Sequence, residues 1–235
     1  AILGAENIAI KFAGTDYIFV GTNKTLEGQP KGAGILECLK NCANPPDIVI
    51  VCDGSNAIPY HYIVSIFQEL ISDSSICGVM ANRGENKSIS KERFLIETFE
   101  IFILKKYHNH IKGIPDGQCG LWGYRAGKLN INGCQKGIKL SAKSYEIELD
   151  LLSELLEKNL EYSFVDVILP PRTTRSSFTY SNNLIKMEFL LNKYKKLKDL
   201  LPDYLREFEE KNFKRIFDVK EIWENYRKDL NNLLN

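Results

Sequence analysis

Long apolar runs, an excess of charge of one sign and closely paired cysteines are all missing from this chain of 235 residues. No stretch of about 20 apolar residues occurs, so no transmembrane helix is expected. No charged-then-apolar leader opens the chain either. Lysine and arginine number 31 against 30 acidic residues, a net charge of +1. That balance argues against a general nucleic-acid binder and against a trap for acidic substrates. None of the six cysteines stands in a Cys-x-x-Cys pair, and several lie inside apolar runs. They read as free, buried thiols of a reducing, cytoplasmic compartment rather than as a zinc site or a disulfide framework. His108 and His110 flank Asn109, which is not the spacing of two ligands on one helical face, and His61 follows Pro59 at a helix start. Structural or solvated roles are expected for all three histidines. Neither an internal repeat nor a low-complexity linker is present.

What the chain has instead is alternation. Strand-like runs at Tyr17–Val20, Ile48–Cys52, Ile76–Met80, Cys119–Tyr124 and Tyr162–Leu169 are interleaved with helix-like ones. The helical spacings fall at Ile35–Cys42, from Pro59 through Leu70, at Ile89–Tyr107 and at Tyr145–Lys158. The strands are almost continuously apolar rather than alternating, as in a sheet covered on both faces. An α/β fold with a single, mainly parallel central sheet flanked by helices follows. From about Asn183, apolar residues recur at helical spacing from Leu184 to Leu201, and Pro202 is expected to break that run. The organisation predicted is therefore a main domain over 1–182 and a C-terminal helical extension over 183–235. The extension would pack on the main domain, pair two copies of the chain, or touch a membrane peripherally through Lys193, Lys195, Lys196 and Lys198.

The segment Asp47–Pro59, DIVIVCDGSNAIP, places a carboxylate straight after a buried strand. An ionised carboxylate beside a core is costly unless paired, hydrogen-bonded or metal-bound. In open α/β sheets the carboxyl ends of strands face the ligand crevice, which gives Asp53 a reason to be there. A hard oxygen ligand at that point suits magnesium or manganese on a diphosphate; capping the next turn is the plainer alternative. Gly28-Gln-Pro-Lys-Gly-Ala-Gly34 precedes a helix, where backbone amides with Lys31 and Gly32 can hold an anion, or form an ordinary loop. It is not a Walker A sequence. Asp116-Gly117-Gln118 precedes another strand; Asp116 there can accept a proton, or simply make an Asp-Gly turn. Glu146 and Glu148 at a helix start complement the helix dipole. Arg172 and Arg175, after Pro170-Pro171, can clamp phosphates or stay solvated.

Taken in order, these segments resemble the nucleotide-sugar glycosyltransferases of the GT-A fold, most nearly family 2 members of the dolichyl-phosphate mannose synthase kind. Asp47–Ser55 looks like their Asp-x-Asp strand, Gly28–Gly34 like the preceding glycine-rich segment, and Arg83 and Arg93 like the arginines after the next strand. Asp116–Arg125 looks like the acceptor-site segment, and Tyr145–Leu152 with Val165–Pro170 like the later helix and the strand ending in proline. The likeness covers about residues 17 to 180. It implies transfer of a sugar from a nucleotide diphosphate to an acceptor hydroxyl or phosphate, inverting and assisted by Mn2+ or Mg2+. It implies Asp53, with Ser55, at the metal; Asp116 as base; Gln118 orienting the acceptor hydroxyl or the sugar. Lys31, Gly32, Arg83, Arg93, Arg172 and Arg175 would attend the donor phosphates.

The chain departs from the pattern twice. Ser55, with Asn56 next, stands where the second acid belongs. Residues Ala1–Asn7 hold at most a fragment of the opening strand and base-binding segment, which is expected to be abbreviated or lost before Ala1. A fold retained as a binding or regulatory module is one alternative. A nucleotidyltransferase is another, although Gly4-Ala-Glu-Asn lacks its basic, glycine-rich run.

Overall fold

The computed structural model describes residues 8–12, 15–19, 32–33, 35–36, 48–52, 58–83, 90–108, 119–125, 140–144, 146–169 and 180–234. A hairpin of β1 (Ile8–Phe12) and β2 (Thr15–Phe19) pairs antiparallel, with Phe12 opposite Thr15. The main sheet holds β3 (Ile48–Cys52), β4 (Gly78–Asn82), β5 (Leu121–Arg125) and β6 (Tyr162–Asp166). Their spatial order is β3-β5-β4-β6. β4 and β6 are parallel, whereas β5 pairs antiparallel with both β3 and β4. Strands β3, β4 and β6 therefore share one direction, and β5 alone is reversed among the described strands of this sheet.

Period-two alternation decides which face each strand residue covers. Ile48, Ile50, Val79, Ala81, Leu121 and Val165 meet Ile66 and Leu70 on one face. Val49, Val51, Met80, Trp122, Tyr124 and Phe164 belong to the larger core on the other. Both faces are buried, so the strands read as continuous apolar runs. The first face is covered by α1 (Tyr60–Ser72), which Pro59 precedes. Gly123 lets that helix sit on the β5 backbone, since a Cβ there would come within 2.7 Å of Ile66 Cγ2. The Arg125 guanidinium, at the far end of β5, donates to the carbonyls of Leu70, Asp73 and Ile76. It thus neutralises the carbonyl end of α1.

The second face is covered by α2 (Lys91–Tyr107), α3 (Ile147–Glu157) and the C-terminal helices. Ser90 caps α2, its hydroxyl accepting the Arg93 N–H at 3.3 Å. The C-terminal helices are α4 (Tyr180–Lys193), α5 (Leu197–Lys211), α6 (Phe213–Phe217) and α7 (Lys220–Leu234). Met187, Leu190, Leu191, Leu197, Leu201 and Leu205 lie in the same core as Leu95, Phe99 and Trp122. Phe99 of α2 is ringed by Phe208, Trp223 and Tyr226, with centroids 4.9, 5.6 and 6.4 Å away. Each such buried side chain contributes about 1.5–3 kcal/mol. The 182/183 boundary expected from sequence falls inside α4, and the helices beyond it are continuous with the core of the sheet.

Two expectations for this region need correction. The helical run is broken at Tyr194–Lys196, not at Pro202, which lies inside α5. Pro202 costs α5 one backbone hydrogen bond, but burial of Leu197, Leu201, Leu205 and Phe208 on the core outweighs it. Lys193 does not join Lys195, Lys196 and Lys198 on the surface, because its ammonium turns inward to Asp150 and Glu154. Among the described residues no helix is long and apolar enough to cross a membrane, and Cys52, Cys77 and Cys119 are in no disulfide.

Candidate active site at the carboxyl edge of the sheet

The reversal of β5 brings its beginning to the edge where β3, β4 and β6 end. Cys52 pairs with Leu121, Met80 with Trp122, and Asn82 with Asp166. The residue before Asp53 and the residue after Gln118 are thus carried to one edge by adjacent strands. Asp53, Ser55, Asp116, Gln118, Lys31, Arg172 and Arg175 themselves lie outside the described residues.

Arg83 and Arg93 are described, and they meet. Arg83 follows β4 directly and is buried. Its Nη2 donates to Glu97 Oε2 at 2.9 Å, while Arg93 Nε donates to Glu97 Oε1 at 2.8 Å. Glu97 is only 5% exposed. The helix period explains the second contact, since Arg93 and Glu97 are one turn apart on α2. The first needs the tertiary structure: β4 must end where α2 presents that carboxylate. Charge-assisted bonds of this kind fix two guanidinium planes at the sheet's edge.

The chain leaving β6 is held at the same edge. Val167 N–H donates to the Asn82 carbonyl at 2.8 Å, and Asn82 Nδ2 donates to Asp166. Tyr62, from α1, accepts the Ile168 N–H at 2.8 Å through its hydroxyl. Residues 167–168, just beyond the end of β6, are thus pinned at this edge. Sequence reading missed Glu97 and Tyr62. A glutamate four residues after Arg93 was the available signal for the first; nothing local marks the second.

Gly32 is buried against the backbone of residues 142–143: a Cβ would stand 2.5 Å from the Ala142 oxygen. Ala33 N–H donates to the Lys143 carbonyl at 2.7 Å. Close packing thus gives this glycine a reason of its own, beside any approach to a phosphate. Of the histidines, His108 is buried with Nε2 3.1 Å from the Tyr194 hydroxyl, and burial pushes that phenol well above its ordinary range. The His61 ring lies against that of Tyr62, tilted by 45° with centroids 4.0 Å apart.

Among the described residues no group of three or more His, Cys, Asp or Glu side chains could hold a metal ion. Asp53 and Ser55, the oxygen donors expected from sequence for a hard cation, stand one and three residues beyond Cys52, outside the described residues. Such a donor set fits Mg2+ or Mn2+ better than a softer metal.

The architecture, a layered α/β sheet with one reversed strand among those described, is of the GT-A fold type. The solved structures that the chain resembles include glucosyl-3-phosphoglycerate synthase from Mycobacterium tuberculosis. In complex with Mn2+, uridine diphosphate and phosphoglyceric acid, that protein matches with a TM-score of 0.52 and 14% identity, over 69% of this chain and 53% of the other. Its structure without those ligands named matches with a TM-score of 0.52 and 15% identity, over 69% and 54%. The chain therefore spans about half the length of these neighbours. No family model matches the sequence, and no curated protein matches it.

Proposed function

We propose that the protein is a nucleotide-sugar-dependent glycosyltransferase, inverting and metal-assisted, of the family 2 kind. Residues 1–182 form its catalytic unit and the helices of 183–235 brace it. The observation that supports this most is the meeting of four strand ends at one edge, with the Arg83–Glu97–Arg93 cluster beside them. The mycobacterial neighbours lend support to a diphosphate donor, since one of them is named with uridine diphosphate and Mn2+.

In this reading a bound divalent cation would screen the donor diphosphate and assist its departure. Asp53 and Ser55 would hold it. Arg83 and Arg93, kept in place by Glu97, would take up charge that develops on the leaving diphosphate, joined by Lys31, the amide of Gly32, Arg172 and Arg175. Asp116 would accept the proton of the acceptor hydroxyl as its oxygen attacks the anomeric carbon from the opposite side, and Gln118 would orient that hydroxyl. Cys52, Cys77 and Cys119, none of them in a disulfide, agree with work in the cytoplasm.

Titration calorimetry with UDP- and GDP-sugars, with and without Mn2+, tests the assignment. One donor should bind in a metal-dependent way, and Asp53→Ala should abolish that dependence. Asp116→Asn should keep donor binding and lose transfer. Binding without turnover in the unaltered protein would mark a regulatory module instead, and an unchanged titration of Asp53→Ala would remove the metal role from that residue.

A further inference from the structure

Gly32 and Ala33 lie against residues 142–143, and the N–H groups of Ser141 and Ala142 are held by a carboxylate outside the catalytic assignment. Asp150, in the first turn of α3, is fully buried. Its Oδ2 accepts the Ser141 N–H at 2.6 Å and the Ala142 N–H at 2.9 Å, with the Ser141 hydroxyl at 3.3 Å. Its Oδ1 receives Lys193 Nζ at 3.1 Å, from the last residue of α4, and the same ammonium donates to Glu154 Oε1 at 2.8 Å. The next peptide along, Ala142–Lys143, is the one against which Gly32 and Ala33 lie.

We propose that Asp150 and Lys193 form a positioning clamp, through which the C-terminal helix α4 fixes the backbone platform under Gly32–Ala33 and so sets affinity for the donor phosphates. The chemistry is specific. Two backbone N–H groups converge on one oxygen and an ammonium on the other, an arrangement that an acceptor-only group satisfies at both ends. An amide in its place must turn an NH2 toward either the N–H pair or the ammonium. The contact downstream is equally demanding, because a methyl at position 32 has nowhere to go. Asp150 acts through other residues, so it is a positioning residue and not a catalytic one. The donor role of the clamp rests on the glycosyltransferase reading; the mechanical coupling to Ala33 does not.

Amide exchange at Ala33 and donor calorimetry, made on the full chain, separate the two. In Asp150→Asn the Ala33 amide should exchange about tenfold faster and the donor Kd rise about tenfold, with turnover of bound donor nearly unchanged. Gly32→Ala should reproduce the affinity loss, and the double variant should be no worse than the weaker-binding single one, because both disturb the same contact. Lys193→Arg should restore most of what Lys193→Met loses. If Asp150→Asn does not fold, Lys193→Met carries the same measurements. Unchanged exchange at Ala33 and unchanged donor affinity, or strictly additive losses with Gly32→Ala, would overturn the clamp while leaving the function intact. No nucleotide-sugar binding by the unaltered protein would overturn the function, and with it the donor role, whatever happens at Ala33.

Discussion

At the carboxyl edge of the sheet one carboxylate, Glu97, serves two guanidiniums; between α3 and α4 one ammonium, Lys193, serves two carboxylates. The two clusters use opposite arithmetic for different ends. A guanidinium carries five N–H groups in a rigid fork, so it can be anchored through one and address another partner with the rest. Such a group would suit an edge that meets phosphate, as the proposed function requires. An ammonium is a compact charge with three donors, and Lys193 spends its charge inward on Asp150, Glu154 and, at 4.0 Å, Glu157. Each arrangement removes charge from water, so its value lies in fixed geometry more than in net stability.

The sharpest way to break this contrast is Glu97→Ala, which leaves the buried Arg83 and the half-buried Arg93 without their shared carboxylate. We expect a loss of about 3–5 kcal/mol in urea unfolding. Lys193→Met should cost less, about 2 kcal/mol, because Asp150 keeps its two backbone donors. A loss as large as that of Glu97→Ala would mean that the backbone bonds do not hold Asp150 by themselves. A pH series sharpens the same point. Burial lowers the Lys193 pKa, but the Glu154 hydrogen bond and the charges of Asp150 and Glu154 outweigh it and raise it above the ordinary 10.5. A raised cationic pKa stabilises fully below the unfolded-state value and fades as pH climbs through the folded-state one. The difference between wild type and Lys193→Met should therefore stay level through neutral pH and shrink only in the alkaline range beyond 10.5. The smallest effect belongs to Lys91–Asp218, a pair at 3.3 Å whose side chains are 77% and 55% exposed. Lys91→Ala should move stability by under about 0.5 kcal/mol, within what exposed pairs contribute.

Much of the fold is legible in the sequence because it is local. The β-branched run Ile48–Cys52 and the helical spacing over Ile89–Tyr107 each name their own element. The β1 strand went unread, although Ile8, Ile10 and Phe12 alternate with Ala9 and Lys11, because five residues of alternation are a weak signal without their partner strand. The reversal of β5 could not be read at all: Leu121–Arg125 would look the same in either direction. Nor could Pro202, whose local penalty is overruled by apolar contacts made tens of residues away. At the candidate site Arg83 stands out by its place directly after β4, while Glu97, which holds its guanidinium, is not marked by any strand end.

By itself the sequence determined the strands of the main sheet and most of the helices packed on it, and that both faces of that sheet are covered. These follow from periodicity and backbone preference, which act over a few residues. Only the tertiary structure decided that Arg83 and Arg93 share Glu97, that Lys193 reaches Asp150, and that Gly32 rests on residues 142–143. Those are encounters between distant parts of the chain, settled by how buried charges and close backbones find partners once the core has formed.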